Sequence, residues 1–274
     1  MSDILIQSKS DTGVLTLTLN RPKALNSLNR ALLDELKTAF DTAHTDPSVR
    51  VVILTGSGRG FCAGADLING GWPRIEGLSP GQGTAYAMRH GFNPVVRAIT
   101  ACDKPVITAI NGIAAGGGVG LALAGDLVIA AHSARFRLVF GPQLGIIPDV
   151  GASWFVPQLI GRARANGLGL LGDDLDAPTA QQWGLIWEAV ADEELLPHAQ
   201  ALAERMANSA IGGLKAVSRA HDHALTNTLS AQLDYELEKQ TYFCDQPEFA
   251  EGVRAFAEKR TPDFRNLEGR KKKG

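Results

Sequence analysis

Two glycine-rich turns in the chain could bring backbone N–H groups to a ligand. One spans residues 60–66 (Gly-Phe-Cys-Ala-Gly-Ala-Asp) and the other spans residues 111–118 (Asn-Gly-Ile-Ala-Ala-Gly-Gly-Gly). Small residues let a ligand approach the backbone, and unpaired N–H groups at the start of a helix attract developing negative charge. Either turn taken alone is better explained by tight packing and positive φ angles. The two together could supply two donors to one oxyanion.

Asp149 is the candidate for acid–base chemistry. It stands within residues 147–151 (Ile-Pro-Asp-Val-Gly), and these apolar neighbours should raise the pKa of its carboxyl. An aspartate after a proline is also a helix-start signal, so the same residue could instead cap a helix that begins near Val150. The residues alone leave both roles open.

Motifs of several common enzyme classes are absent from the sequence. The glycines at residues 116–120 lack the Gly-x-Gly-x-x-Gly spacing, and the chain contains neither a P-loop nor a Gly-x-Ser-x-Gly motif. The six histidines form no His-Glu-x-x-His, and Cys62, Cys102 and Cys244 form no Cys-x-x-Cys. We therefore expect no metal, no separate cofactor and no disulfide framework.

Composition places the chain among ordinary globular proteins. Its 274 residues are 45% hydrophobic, and 27 Lys and Arg against 29 Asp and Glu give a net charge of −2. These values argue against a disordered chain and against a nucleic-acid binder. Residues 106–125 carry no charge, but six of them are glycine, so we expect a buried strand, a turn and a helix there rather than a membrane span. The N-terminus lacks the apolar segment of a signal peptide, and the cytoplasm is the expected compartment.

Hydrophobic patterns predict an α/β core. Residues 14–19 alternate apolar side chains with threonine, as a half-buried strand requires, and residues 51–55 form a continuous apolar run typical of a buried strand. Apolar residues at helical spacing from Leu28 to Ala43 predict a surface helix between them. The order of strand, glycine-rich turn and helix recurs at residues 104–125. This alternation indicates an α/β fold whose helices cover the sheets.

The remaining segments are predicted to be a loop and a series of helices. Glycines and prolines at residues 69–83 predict a mobile loop, followed by a helix over residues 85–100. Later helices are predicted over residues 195–208, 213–226, 229–244 and 247–260. We therefore place a boundary near residue 200, between an α/β core of residues 1–200 and a helical C-terminal region of residues 201–274.

Five segments together resemble the crotonase superfamily, the enoyl-CoA hydratase/isomerase fold. They are residues 20–26 (Asn-Arg-Pro-Lys-Ala-Leu-Asn), 60–67, 111–118, 144–151 and 251–260 (Glu-Gly-Val-Arg-Ala-Phe-Ala-Glu-Lys-Arg). Each is moderately specific, but their order along nearly the whole chain is highly specific. The resemblance implies a spiral core of ββα repeats and a helical C-terminal part used in trimerisation, often in hexamers. It also implies an acyl-CoA thioester as ligand, with CoA as part of the substrate.

The resemblance also assigns roles to particular positions. It makes the N–H groups of Ala65 and Gly117 the oxyanion hole for the thioester carbonyl. The positions that it places along the CoA are Lys23, Ala24, Leu25, Ala63, Asp66 and Leu67, with Phe256 and Lys259 from a neighbouring subunit.

The sequence departs from the pattern of hydratases at their two catalytic glutamates. The first of these positions is Gly120, and the second falls on Gly141 or Phe140. Adding water across a double bond usually needs paired carboxylates, whereas one base suffices for a proton shift. Within the resemblance, Asp149 matches the catalytic aspartate of isomerases, and the pattern is most similar to that of 2-(1,2-epoxy-1,2-dihydrophenyl)acetyl-CoA isomerases.

The expected activity is therefore isomerisation of an acyl-CoA through a thioester enolate, with Asp149 as the single acid and base. A hydratase of relaxed pattern is the alternative within the family. Binding of acyl-CoA or RNA without turnover is the alternative from another class. The acyl group cannot be read from the sequence, because the loop and helix over residues 69–100 shape the pocket.

Overall fold

Ten β-strands form two sheets in the computed structural model, which describes residues 4–68 and 75–267. In chain order they are β1 (Leu5–Lys9), β2 (Val14–Leu19), β3 (Val51–Gly56), β4 (Gly60–Cys62), β5 (Val106–Ile110), β6 (Ile113–Ala115), β7 (Leu127–Ala131), β8 (Arg135–Arg137), β9 (Leu175–Asp176) and β10 (Glu188–Val190). The larger sheet has the order β1-β2-β3-β5-β7-β10, and all its neighbours are parallel except β1 and β2. The smaller sheet has the order β4-β6-β8-β9.

The chain passes from the larger sheet to the smaller sheet three times in the same way. β3 is followed by β4, β5 by β6 and β7 by β8, so each of these buried strands continues into a strand of the smaller sheet. β4 and β6 are parallel neighbours, with Cys62 opposite Ala114. Because the carboxyl ends of parallel strands lie at the same edge of a sheet, the two glycine-rich turns meet there.

Ten α-helices surround the sheets within the described residues. They are α1 (Arg30–Thr45), α2 (Pro80–Ala87), α3 (Asn93–Ala101), α4 (Gly117–Leu123), α5 (Ala152–Leu171), α6 (Ala177–Trp183), α7 (Leu195–Ala207), α8 (Ile211–Ala224), α9 (Leu229–Cys244) and α10 (Pro247–Glu258). Short π-helical turns cover Met88–Phe92 and Phe140–Leu144, and 3₁₀ turns cover Pro22–Ala24 and Asp192–Glu194. This mixed α/β architecture with a helical C-terminal part is the predicted one.

The larger sheet carries a hydrophobic core on each face. Along β3, Val52 and Leu54 belong to one buried cluster, and Val51 and Ile53 belong to the other. The second cluster is closed by α7, whose buried alanines recur every four residues at Ala199, Ala203 and Ala207. The domain boundary expected at residue 200 falls inside this helix, which belongs to the core by its packing.

Most of the predicted elements are confirmed, including strands β2 and β3, helix α1 and the four C-terminal helices. The uncharged residues 106–125 form β5 and α4, as expected, and the turn predicted between them contains the short strand β6. None of the helices in the described residues combines the length and apolar character that crossing a membrane requires.

The helix predicted to begin at Ala85 begins five residues earlier, at Pro80. Ser79 caps it: its side chain accepts from Gln82 N, and the Gln82 side chain accepts from Ser79 N. This capping box, with proline at the first helical position, is a strong start signal that the surrounding glycines obscure. Residues 75–79 of the predicted loop precede this helix, and residues 69–74 lie outside the described residues.

Candidate active site

The segment before α1 is held by a buried asparagine in a left-handed turn. Leu25 and Asn26 have φ angles of 47° and 55°. The Asn26 side chain is fully buried, where it accepts from Arg21 N and donates to the carbonyl oxygens of Ser57 and Gly60. Asparagine is among the few residues that adopt this backbone region readily, and its amide fixes the turn to the loop between β3 and β4. Asn26 is not among the site residues predicted from the sequence, although an asparagine in a turn is a recognisable signal.

This turn runs alongside the first glycine-rich turn. Ala63 N donates to Leu25 O at 2.9 Å, and Leu28 N donates to Gly64 O at 2.7 Å. Lys23 is exposed, while Ala24, Leu25 and Ala63 are half-buried. Leu67 is exposed at the end of the turn. The structure therefore brings together five of the positions that the resemblance places along the CoA.

Asp66, the sixth of these positions, is buried. Its carboxylate is only 3% exposed and forms an ion pair with Arg21 at 2.7 Å, while its N–H donates to Leu28 O. Arg21 also donates to the Ser27 carbonyl. The Asp66 side chain therefore joins the two turns, which is a positioning role rather than the solvent-facing one of a CoA contact.

The two glycine-rich turns are in direct contact. A Cβ added to Gly64 would lie 2.8 Å from Ala115 O and 3.0 Å from Gly117 N, and a Cβ added to Gly118 would overlap the carbonyl of Cys62. Such short distances are not tolerated, so both positions need glycine for the close approach of two backbones. The contact brings the first turn to the N-terminus of α4.

Two N–H groups at this contact have no protein acceptor within residues 4–68 and 75–267. Gly117 is the first residue of α4, so its N–H has no partner in its own helix. Leu28 N donates to Gly64 O and Leu28 O accepts from Asp66 N, so Leu28 pairs with the residues on either side of Ala65. In such a parallel pairing the Ala65 N–H points away from Leu28, toward the opposite side of the turn. An oxygen that accepts from both groups would be stabilised as it gains negative charge.

Asp149 lies beside the same helix start. Its Oδ1 is 3.5 Å from the point where a Cβ on Gly117 would stand. Among the described residues, no other residue donates to its carboxyl, which interacts only with its own backbone N–H. The alternative role as a helix cap is wrong, since α5 begins at Ala152 after Gly151 and has no side-chain cap. The carboxyl is thus available to a ligand.

Burial raises the pKa of the Asp149 carboxyl to about 6. Desolvation is the main cause, because it disfavours the charged form, and the residue's own N–H opposes it. The upward direction predicted from the apolar neighbours is confirmed. A carboxyl with this pKa can both take and return a proton near neutral pH.

The two positions where hydratases carry glutamates hold no acid here. A Cβ on Gly120 would overlap the Val150 carbonyl oxygen and lie 2.7 Å from the Val150 carbonyl carbon. Phe140 is buried, and its ring reaches the turn at Gly116, where an added Cβ would lie 3.9 Å from the ring edge. A Cβ on Gly141 would meet Gly169 O at 3.3 Å. The first position is therefore closed by backbone.

Phe256 and Lys259 lie with the C-terminal helices rather than at the two turns. Phe256 is 86% exposed on α10, at the edge of a cavity of about 710 Å³ between α8, α9 and α10. Lys259 ends α10 with a φ of 54°. The turn is held by Glu251, a buried carboxylate that accepts from Arg260 and from Asp263 N.

The sequence profile of the enoyl-CoA hydratase/isomerase family matches residues 9–267. The chain belongs to this family. It is 44% identical over 259 residues to the 1,2-epoxyphenylacetyl-CoA isomerase of Escherichia coli (strain K12), covering 94% of this chain and 97% of that protein. It is 35% identical to the 2,3-dehydroadipyl-CoA hydratase of the same organism, covering 97% and 99%.

Solved structures of the enoyl-CoA hydratase/isomerase family have the same fold. The crystal structure of an enoyl-CoA hydratase from Bacillus anthracis superposes with a TM-score of 0.85 at 35% identity, covering 94% of this chain and 98% of that one. The crotonase fold expected from the resemblance is confirmed.

Proposed function

We propose that this member of the enoyl-CoA hydratase/isomerase family is an acyl-CoA isomerase with Asp149 as its single acid and base. The observation that carries the proposal is the position of an unpaired, half-buried carboxyl beside Gly117, whose N–H has no acceptor in the described residues. The backbone that closes position 120 leaves this carboxyl without a second acid at the first glutamate position.

The arrangement supports an enolate mechanism. The thioester carbonyl accepts from Ala65 N and Gly117 N, and Asp149 removes a proton from the α-carbon. The electrons of the broken C–H bond move onto the thioester oxygen, where the two N–H groups stabilise them. The protonated Asp149 then returns its proton to another carbon as the enolate collapses, so the double bond moves and no atom is lost.

Hydration is the second candidate, because several relatives are named as hydratases, at 40% identity and below. It would need one group for water and another for the α-carbon. Asp149 can serve as only one of them. The hydratase therefore ranks below the isomerase.

The substrate class proposed from the relatives is a CoA thioester with a ring-derived acyl group. The isomerase relative, at 44% identity, is named for 1,2-epoxyphenylacetyl-CoA. The exposed Lys23 ammonium is suited to a CoA phosphate, and the half-buried Ala24, Leu25 and Ala63 offer small apolar contacts beside it.

A homotrimer or a hexamer is the proposed assembly, with Phe256 and Lys259 reaching the CoA bound by a neighbour. The support is α9, which buries none of its residues in a single chain. Three of its leucines are more than half exposed and could be covered by another chain: Leu229, Leu233 and Leu237. The proposed compartment is the reducing cytoplasm, which suits three cysteines that are all unpaired.

The experiment is a proton-exchange assay in D₂O with 3-enoyl-CoA and phenylacetyl-type CoA esters, run beside crotonyl-CoA hydration. We expect exchange and double-bond migration with little hydration. Rapid hydration of crotonyl-CoA without exchange into the other esters would overturn the isomerase in favour of the hydratase.

A further inference from the structure

The turn that carries Asp149 has an unusual backbone. Val150 and Gly151 have φ angles of 52° and 86°. Glycine adopts this left-handed region freely, but a β-branched residue such as valine is a rare outlier there. Strain of this kind persists only where the surrounding structure holds it, and it concentrates at functional sites.

The side chain of Val150 packs on the start of α4. The side chain is buried. Its Cγ2 is 2.8 Å from the point where a Cβ on Gly117 would stand, whereas Asp149 Oδ1 is 3.5 Å from that point. The absence of a side chain at Gly117 therefore makes room for the valine methyl. This contact fixes the turn of residues 149–151 against Gly117, the residue with the free N–H.

The backbone of Val150 is fixed at a second point on the same helix. Its carbonyl occupies the space where a side chain at Gly120 would stand, and a Cβ there would also lie 3.1 Å from Ala152 N. Gly117 and Gly120 are three residues apart, so they lie on one face of α4. The side chain and the carbonyl of Val150 thus dock on two glycines of one helical face.

We infer that Val150 is a positioning residue, which docks on Gly117 and Gly120 and thereby holds the Asp149 carboxyl beside the oxyanion donor. This inference rests on the proposed role of Asp149. It assigns Gly120 a function in the isomerase: the absence of a side chain there admits the Val150 carbonyl.

No unpaired charge lies on the segments around Asp149, so the pKa of its carboxyl can report how far the carboxyl is buried. Neither α4, nor residues 138–148, nor the first turn of α5 contains a charged residue, and Asp66 in the facing turn is paired with Arg21. The high pKa of Asp149 therefore reports its burial. If the turn moves toward water, the pKa falls into the ordinary aspartate range.

The test compares Val150→Gly with Val150→Thr. Glycine removes both the side-chain contact and the restriction on the backbone. We expect kcat for proton exchange to fall about 100-fold, as for a misplaced catalytic group, with KM changed less than about threefold. The acidic limb of the kcat/KM profile should move below its wild-type position near pH 6.

Threonine provides the matched control, because it keeps the β-branched shape but buries a hydroxyl. It should lower Tm while keeping kcat within about threefold and the pH profile in place. Activity and thermal stability then respond differently in the two variants, which a purely structural role for Val150 would not produce. If Val150→Gly fails to fold, Val150→Ala removes the same methyl contacts and is measured instead.

The outcomes separate this inference from the proposed function. Normal kcat and an unmoved pH limb in the glycine or alanine variant, together with an inactive Asp149→Asn, would overturn the role of Val150 and keep Asp149 as the base. An active Asp149→Asn would overturn both.

Discussion

Asp149 Oδ1 lies beside the backbone of Gly117, 3.5 Å from the position that a Cβ on Gly117 would take. The N–H of the same glycine lacks an acceptor in the described part of the chain. The proposed base and the proposed oxyanion donor are thus adjacent in space although 32 positions separate them in the sequence. This pairing suits the removal of a proton from the carbon next to a carbonyl.

Replacing Asp149 with asparagine should abolish proton transfer while preserving substrate binding. Asparagine keeps the size of the side chain but cannot accept the α-proton, so we expect kcat to fall by about 10²–10⁴-fold. Calorimetry should show unchanged affinity for an acyl-CoA. Asp173→Asn makes the same chemical change at an exposed aspartate after α5 and should leave turnover at the wild-type level.

The same variant should be more stable than the wild type at pH 8. Because burial raises the Asp149 pKa to about 6, the folded chain holds this proton more tightly than the unfolded chain. Wild-type stability therefore falls as the pH rises from the ordinary aspartate range through about 6. Urea unfolding should show an advantage for Asp149→Asn at pH 8 that shrinks toward pH 4. An advantage that is constant with pH would contradict the raised pKa.

The oxyanion donor at Gly117 is tested by comparing proline with alanine. Either residue adds a Cβ that would meet Val150 Cγ2 at 2.8 Å, so a proline variant alone would mix loss of the donor with a displaced turn. Gly117→Ala has the same crowding but keeps the N–H. We expect Gly117→Pro to turn over about 10²–10³-fold more slowly than Gly117→Ala. Equal rates in the two variants would remove Gly117 from the oxyanion hole.

We expect the C-terminal helices to assemble the protein into trimers or hexamers. Leu237 is 70% exposed on α9, and a charge at this position should disfavour an apolar interface. Light scattering should give the mass of three or six chains for the wild type and a smaller mass for Leu237→Asp. Circular dichroism should be unchanged, since Leu237 is not buried in one chain. A wild-type monomer would contradict the proposed assembly.

Elements with a simple hydrophobic period could be predicted from the sequence. The alternation in β2, the continuous apolar run of β3 and the helical spacing in α1 each match their structure, because burial on one face or on both decides these elements. The two glycine-rich turns could also be paired, since both follow strands that are parallel neighbours.

The details of the candidate site could not be predicted in this way. Nothing in the local sequence favours a left-handed Val150, which is held by contacts with a helix about 30 residues earlier in the chain. Asp66 has no local signal for its ion pair with Arg21, which forms only when two distant turns meet. Both depend on long-range packing that overrides local preference.

The carbonyl of Val150 also limits how this chain could change its chemistry by mutation. A glutamate at position 120 would collide with that carbonyl, and a turn that moved away to admit the glutamate would withdraw Asp149. A single Gly120→Glu substitution would therefore displace the proposed base while it introduces the new carboxylate. Interconversion of isomerase and hydratase on this scaffold would require the turn and the helix face to change together, which makes the backbone itself a barrier along the evolutionary path.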